Sequence, residues 1–265
     1  MERKSKSKQD WNDKVYGKQK ERLPRYTTIS DQPVPALTTE DDLAAWMRAL
    51  VEKDERLFGI CVALEPRQFG GAQQREDFCL YAHRTPTGVA TKQLLPPAYA
   101  APFYRDRRWY SGSKALGRAS WSEPFLEDGA GDTPMVTYSV PIVRDGVFVG
   151  VVTADLSIDY FRGFHADLQS LKLGDNTICM VVTPDGTLLY HPDPRFEFPA
   201  KDSSLKRVQA AEDFLALAKR MEAEDSGHGT ATDFVSGRTA ALTFRRVPST
   251  RWQFVVMDTV TAPAR

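Results

Sequence analysis

Long apolar runs are missing from this 265-residue chain. No stretch approaches the roughly 18 hydrophobic residues that a bilayer-crossing helix needs, so no spanning segment is predicted. The opening residues, MERKSKSKQDW, carry positive charge with no apolar segment behind it, and the sequence as given predicts no Sec-type leader. A surplus of either charge is missing too. Thirty-five basic residues balance thirty-five acidic ones, which removes the global field that draws a protein onto nucleic acid or an anionic membrane. Binding must come from a local site, and no nucleic-acid partner is expected. The three cysteines, Cys61, Cys79 and Cys179, lack the short spacings of metal sites and redox pairs. They read as buried thiols in apolar strands, with one disulfide and an odd thiol as the alternative.

Catalytic signatures are equally scarce. FGGAQQ, at Phe69 to Gln74, lacks the spacing and the Lys-Ser/Thr ending of a phosphate loop and reads as a surface loop. The four histidines, His83, His165, His191 and His228, form no His-x-x-x-His pair, and His191 in YHPDP reads as a strand-end residue rather than a ligand or base. Glu123 and Asp128 are turn neighbours, which rarely hold the fixed separation that paired-carboxylate chemistry requires. Ser139 in TYSVP does not stand on a G-x-S-x-G elbow. No enzymatic activity, metal or cofactor is therefore expected, and what remains is binding.

What is present is material for a large core: 42% hydrophobic residues and 11% aromatics. Residues 1–37 read as a basic, proline-punctuated arm. Thr39 and Asp42 then resemble a capping box, and Leu43, Trp46, Met47, Leu50 and Val51 recur at helical spacing, giving a helix within residues 38–57. LFGICVAL and DFCLYAHR read as strands, the second turning through PTG into VATKQL. MVTYSVPIVR and VFVGVVTADLSI are joined by Asp-Gly, a strong hairpin signal. DYFRGFHADLQSL has the periodicity of a connecting helix ending near Gly174. Beyond it, TICMVVTPDGTLLYHP repeats strand, Asp-Gly turn, strand; SSLKRVQAAEDFLALAKRMEAE reads as one amphipathic helix; and HGTATDFV, RTAALTFRRV and RWQFVVMDTV read as three closing strands. Two antiparallel sheets in sequence order make an α+β protein rather than a doubly wound one.

RDRRWYSGSKALGRASWSEPF, at 105–125, together with MVTYSVPIVRDGVFVGVVTADLSIDYF, resembles the signature of double Cache sensor domains, the ligand-binding portions of bacterial chemoreceptors, histidine kinases, diguanylate cyclases and serine phosphatases. VVTPDGTLLYHPDP and the closing RWQFVV resemble the second module of that family, so the resemblance spans about residues 40–258. It implies an N-terminal helix followed by two PAS-like modules, each a mostly antiparallel sheet flanked by helices: a membrane-distal one over residues 58–174 and a membrane-proximal one over 175–260. A small ligand is implied in the distal module. Amino-acid binders of the family hold the ligand carboxylate with an arginine and a Trp-Tyr pair, and its ammonium with an aspartate at a strand end. By position these are Arg107, Trp109, Tyr110 and Asp155, with Tyr104, Phe125 and Tyr138 as further aromatic candidates.

The chemistry of these residues agrees with that role, since a guanidinium matches a carboxylate bidentately and aromatic walls exclude water. The competing reading is that Arg107 and Asp155 pair with each other or with Arg108, while Trp109 and Tyr110 are core. This chain departs from the amino-acid binders at Pro102 and Phe125, where they carry tyrosines. Losing hydroxyl donors shifts ligand class, so the expectation is a small polar metabolite: an amino acid, an amine or a carboxylate. The alternative function is a structural module with a self-filled pocket, forming a homodimer through its N-terminal helix. The family setting is extracytoplasmic, with membrane attachment only through segments absent from this sequence.

Overall fold

The computed structural model describes residues 39–69, 75–97, 99, 103–126, 129, 131–161, 163, 176–201 and 203–259. The N-terminal arm, most of the FGGAQQ loop, Pro102, and the connecting segment beyond Gly163 lie outside the described residues.

Helix α1 spans Glu40–Lys53. Its start is the capping box read from the sequence: the Asp42 amide donates to Thr39 Oγ1 at 3.1 Å, and the Thr39 amide to Asp42 Oδ2 at 3.2 Å. Glu40, Asp41 and Asp42 in the first turn and Lys53 in the last suit the helix dipole. At the other end Arg84 closes the helix. Its guanidinium donates to the carbonyls of Val51, Asp54 and Leu57, the last two at 2.9 and 2.8 Å, satisfying acceptors that a helix terminus leaves open.

The first sheet is drawn from β1 (Gly59–Leu64), β2 (Phe78–Thr85), β3 (Gly88–Gln93), β4 (Ser120–Trp121), β5 (Phe125–Leu126), β6 (Pro134–Arg144) and β7 (Val147–Ser157). Its order is β3-β2-β1-β7-β6-β4, with β5 also paired to β6. All of its pairings are antiparallel. The β6–β7 turn consists of Asp145 and Gly146, both left-handed at φ 52° and 77°, the conformation that fits a two-residue hairpin to the twist of its strands. Helix α2, Arg108–Leu116, crosses this sheet, entered through a 3-10 turn at Tyr104–Asp106 and stopped by Gly117 at φ 60°.

The second sheet, order β10-β11-β12-β8-β9, uses β8 (Thr177–Val182), β9 (Leu188–Tyr190), β10 (Ser226–Thr232), β11 (Thr239–Arg246) and β12 (Gln253–Thr259). Helix α3, Glu212–Ala223, lays Phe214, Leu217 and Met221 on it. Both sheets belong to one unit, Ala44–Arg265. They meet in a shared apolar cluster in which Trp252 packs against Trp121 at 5.3 Å and Phe161 at 5.7 Å between ring centroids.

One helix is shorter than the periodicity predicts. Residues 203–211 are not helical, because strand pairing has already engaged their backbone: the Leu188 amide donates to Ser203 O at 2.6 Å and the Leu205 amide to Gly186 O at 2.8 Å, around a bridge between Thr187 and Ser204. Leu205 and Val208 still reach the core, but from a loop. All three cysteines are buried free thiols, with the sulfurs of Cys61 and Cys79 at 3.5 Å. Among the described residues no helix is long and apolar enough to cross a membrane, and no group of three or more His, Cys, Asp or Glu side chains is placed to hold a metal ion.

Candidate functional site

The ligand-facing side of the first sheet follows from strand alternation. On β7, Asp155 pairs with Gly59 of β1 and Thr137 of β6, while Thr153 pairs with Cys61 and Ser139. Residues two apart share a face, so Cys61, Thr137, Thr153 and Asp155 rise from the sheet together. They floor a tight cavity of about 20 Å³ walled by Tyr81, Tyr99, Trp109 and Phe125 and completed by Leu94 and Met135. Asp155 is only 4% exposed and accepts a hydrogen bond from Thr137 Oγ1 at 2.8 Å. It is the one charged residue among the described residues lining this cavity.

A second, outer cavity of about 440 Å³ shares part of its lining with the first and is lined by Arg107, Arg108, Ser120, Trp121, Glu123, Ser139 and their neighbours. Trp109 and Phe125 line both cavities and form the partition between them. Arg107 therefore belongs to the outer chamber and Asp155 to the inner one. The two are linked through Tyr99, a wall of the inner cavity, over whose ring the Arg107 guanidinium lies at 4.7 Å, a cation–π arrangement.

Three of the residues named from sequence stand elsewhere. Tyr110 is fully buried away from both cavities, its ring edge-on to Tyr104, Trp109 and Phe148, and its hydroxyl donates to Glu65 Oε1 at 2.7 Å. Burial, reinforced by the Glu65 carboxylate, pushes its phenol far above the ordinary range. Tyr104 is fully buried with its hydroxyl on Leu64 O at 2.6 Å, and burial pushes its phenol up to about 12. Tyr138 alternates to the face opposite Thr137, where its ring lies 5.0 Å from that of Trp121. Tyr104 and Tyr110 thus anchor α2 to the sheet, and Tyr138 faces away from the cavity floor.

Conversely, Tyr81, Tyr99, Thr137 and Thr153 line the inner cavity although nothing in the motif singles them out. The signal was the strand period: once Asp155 is placed inward, Thr153 must be inward as well, and the hairpin register carries the same face to Thr137. Tyr81 fits because Gly59 beside it has no side chain; a β-carbon there would meet the Tyr81 ring carbons at 2.7 Å. Its ring stacks on His83 with centroids 5.1 Å apart, and burial holds that imidazole below its usual value. On the outer side of α2, partial burial would raise the Glu65 carboxyl, but Lys114 and the Tyr110 hydroxyl outweigh it and hold the group below the ordinary range.

Two PAS-like modules in tandem, with an aromatic cavity over a buried carboxyl group in the first, give the chain a fold of the double Cache, or PDC, type. Residues 43–162 match the family model described as the first PDC sensor domain of methyl-accepting chemotaxis protein-like proteins. The chemotaxis protein PctB of Pseudomonas aeruginosa is 30% identical over 89 residues, which cover 34% of this chain and 14% of PctB. In fold, the chain is similar to the extracellular domain of a protein described as a histidine kinase, mmHK1S-Z3, with a TM-score of 0.70 at 21% identity over 88% of this chain and 83% of that one. It is also similar to the ligand-binding domain of PctB solved in complex with L-Gln, with a TM-score of 0.52 at 19% identity over 83% of this chain and 75% of that one. The periplasmic sensory domain of the Campylobacter jejuni chemoreceptor Tlp1 has the same fold, at a TM-score of 0.62 and 14% identity over 86% of this chain and 82% of that one.

Proposed function

We propose that the distal module is a receptor for a small metabolite bearing an ammonium group, and that this is a binding rather than a catalytic domain. The observation that carries this reading is the buried carboxyl of Asp155 on the floor of a cavity with four aromatic walls. A buried carboxylate favours a cationic partner, aromatic faces attract an ammonium ion, and Thr137 fixes one carboxylate oxygen from below. A carboxylate on the same ligand would point outward, past Trp109 and Phe125, toward Arg107. An amine ends at the partition, whereas an amino acid crosses it. Binding then requires Trp109 and Phe125 to part, a movement that α2 and the β4–β5 connection can transmit. The backbone carbonyl of Asp155 accepts from the Phe58 amide at 2.8 Å, which ties the binding strand to the segment leaving α1 and supports a relay of occupancy along the chain as a shift between two states.

Thermal melting against matched panels of amines, amino acids and plain carboxylates tests this. Ammonium-bearing compounds are expected to stabilise the protein, by about 2.7 kcal/mol at a hundredfold excess over Kd, and Asp155→Asn is expected to abolish the gain. A panel in which no amine or amino acid stabilises the protein, or in which Asp155→Asn responds like wild type, overturns the reading in favour of a self-filled structural module.

A further inference from the structure

Two of the three cysteines, 18 positions apart in the chain, come together in the fold. Cys61 of β1 stands opposite Tyr81 of β2, and Cys79 of β2 stands opposite Ala63 of β1. Residues directly across an antiparallel pair, and residues two apart along a strand, share a face, so Cys61 and Cys79 are diagonal neighbours on the inward side of the sheet. Ala63 offers only a methyl group beside Cys79. The two sulfurs lie 3.5 Å apart, within reach for one thiol to donate to the other. Cys179 sits on β8 of the other sheet, so the fold selects this pair.

The two thiols differ in their surroundings. Cys61 is part of the inner cavity floor, whereas Cys79 is not among the residues lining that cavity. Both are buried, at 3% and 0% exposure, so the cavity is the route by which a reagent meets the pair, and it meets Cys61 first. A space of about 20 Å³ admits water-sized molecules and little more. Hydrogen peroxide, two oxygen atoms long, is the thiol oxidant nearest that limit. A bulky disulfide such as oxidised glutathione is far outside it.

We propose that Cys61 and Cys79 are a redox pair that closes into a cross-strand disulfide when hydrogen peroxide reaches the cavity, stapling β1 to β2 at the cavity floor. In the first step the Cys61 sulfur attacks one peroxide oxygen: an S–O bond forms, the O–O bond breaks, and the thiol proton leaves with the other oxygen as water, giving a sulfenic acid. The Cys79 sulfur then attacks the Cys61 sulfur. The S–S bond forms, the S–O bond breaks, and the hydroxyl departs as water with the Cys79 proton. The two sulfurs together lose two electrons, and the peroxide gains them. Bonding brings the sulfurs from 3.5 Å to about 2.0 Å, which draws Cys61 away from the floor toward Cys79. This inference goes beyond the receptor reading and does not depend on it, since the reaction involves no ligand.

Treating the reduced, folded wild-type chain with peroxide, unfolding it in iodoacetamide and digesting it without reductant tests the pair. A peptide joining Cys61 to Cys79 is expected, with Cys179 alkylated. The oxidised protein is expected to melt several degrees higher, because the bond closes a loop in the unfolded chain, and to return to its starting Tm in dithiothreitol. In Cys79→Ala the oxidation of Cys61 should stop at a sulfenic acid that dimedone traps. Alkylation of both Cys61 and Cys79 after peroxide, or separate sulfinic acids with no joined peptide, overturns the proposal. A joined peptide that forms only when the chain is oxidised in urea overturns it as well. The joined peptide is read in the wild-type chain, so the outcome stands even should the variant not fold.

Discussion

The two modules use similar sheets with different inner faces. In the proximal module Met180, Val182, Leu242, Phe244, Val255 and Met257 form a continuous apolar surface under Phe214, Leu217 and Met221 of α3. The distal sheet puts Thr137, Thr153 and Asp155 on the corresponding inward side, all at or below 4% exposure, beneath the rings of Tyr81, Tyr99, Trp109 and Phe125. The proximal module buries polar groups too, Gln253 on the same face of β12 as Val255 and Met257, and Glu197 and Asp233 beside the sheet.

Substitutions can break or sharpen this contrast. The largest effect on stability is expected in the proximal core, where Phe214→Ala should cost about 3–5 kcal/mol in a urea titration, since Phe214 is fully buried. A smaller loss would mean that α3 is loosely seated and the contrast overstated. In the distal module Asp155→Asn should cost about 2–5 kcal/mol of ligand binding by calorimetry while leaving the melting temperature of the empty protein close to wild type. A large fall in the empty protein's stability would make Asp155 structural. Gly59→Ala forces the Tyr81 ring toward the cavity; the cost of such overpacking is about 1–3 kcal/mol, accompanied by weakened ligand binding. The smallest effect belongs to Lys114→Ala, because the Lys114–Glu65 pair at 2.7 Å is partly exposed and is worth at most about 1 kcal/mol, read as a small shift in Tm.

Much of the fold was legible because its strands are joined by turns whose chemistry is local. Asp145-Gly146 and Asp185-Gly186 mark hairpins by backbone preference alone, and Thr39 with Asp42 marks the start of α1. The misreading at 203–211 arose where the deciding partner was distant: helical spacing of Leu205 and Val208 is a local signal, but Gly186 and Leu188 had claimed that backbone for strand pairing. The site divides the same way. Asp155 and Trp109 stand in a recognisable motif, and both line the inner cavity. Tyr110 stands in the same motif with its hydroxyl committed to Glu65, a partner 45 residues away in the chain, which no short pattern reveals. Tyr138 is set apart from Thr137 by strand alternation, a rule available from the sequence once the hairpin register is fixed.

Arg84 gives the fold a mechanical consequence. One guanidinium grips three carbonyls, those of Val51, Asp54 and Leu57, on the path from α1 into β1, while its own backbone amide donates to Phe58 O at 2.8 Å. Phe58 in turn holds the carbonyl of Asp155. The exit of the helix, the second strand and the strand bearing the buried carboxyl are thereby yoked at a single point. That junction gives a displacement of β7 a direct hydrogen-bonded route to the end of α1.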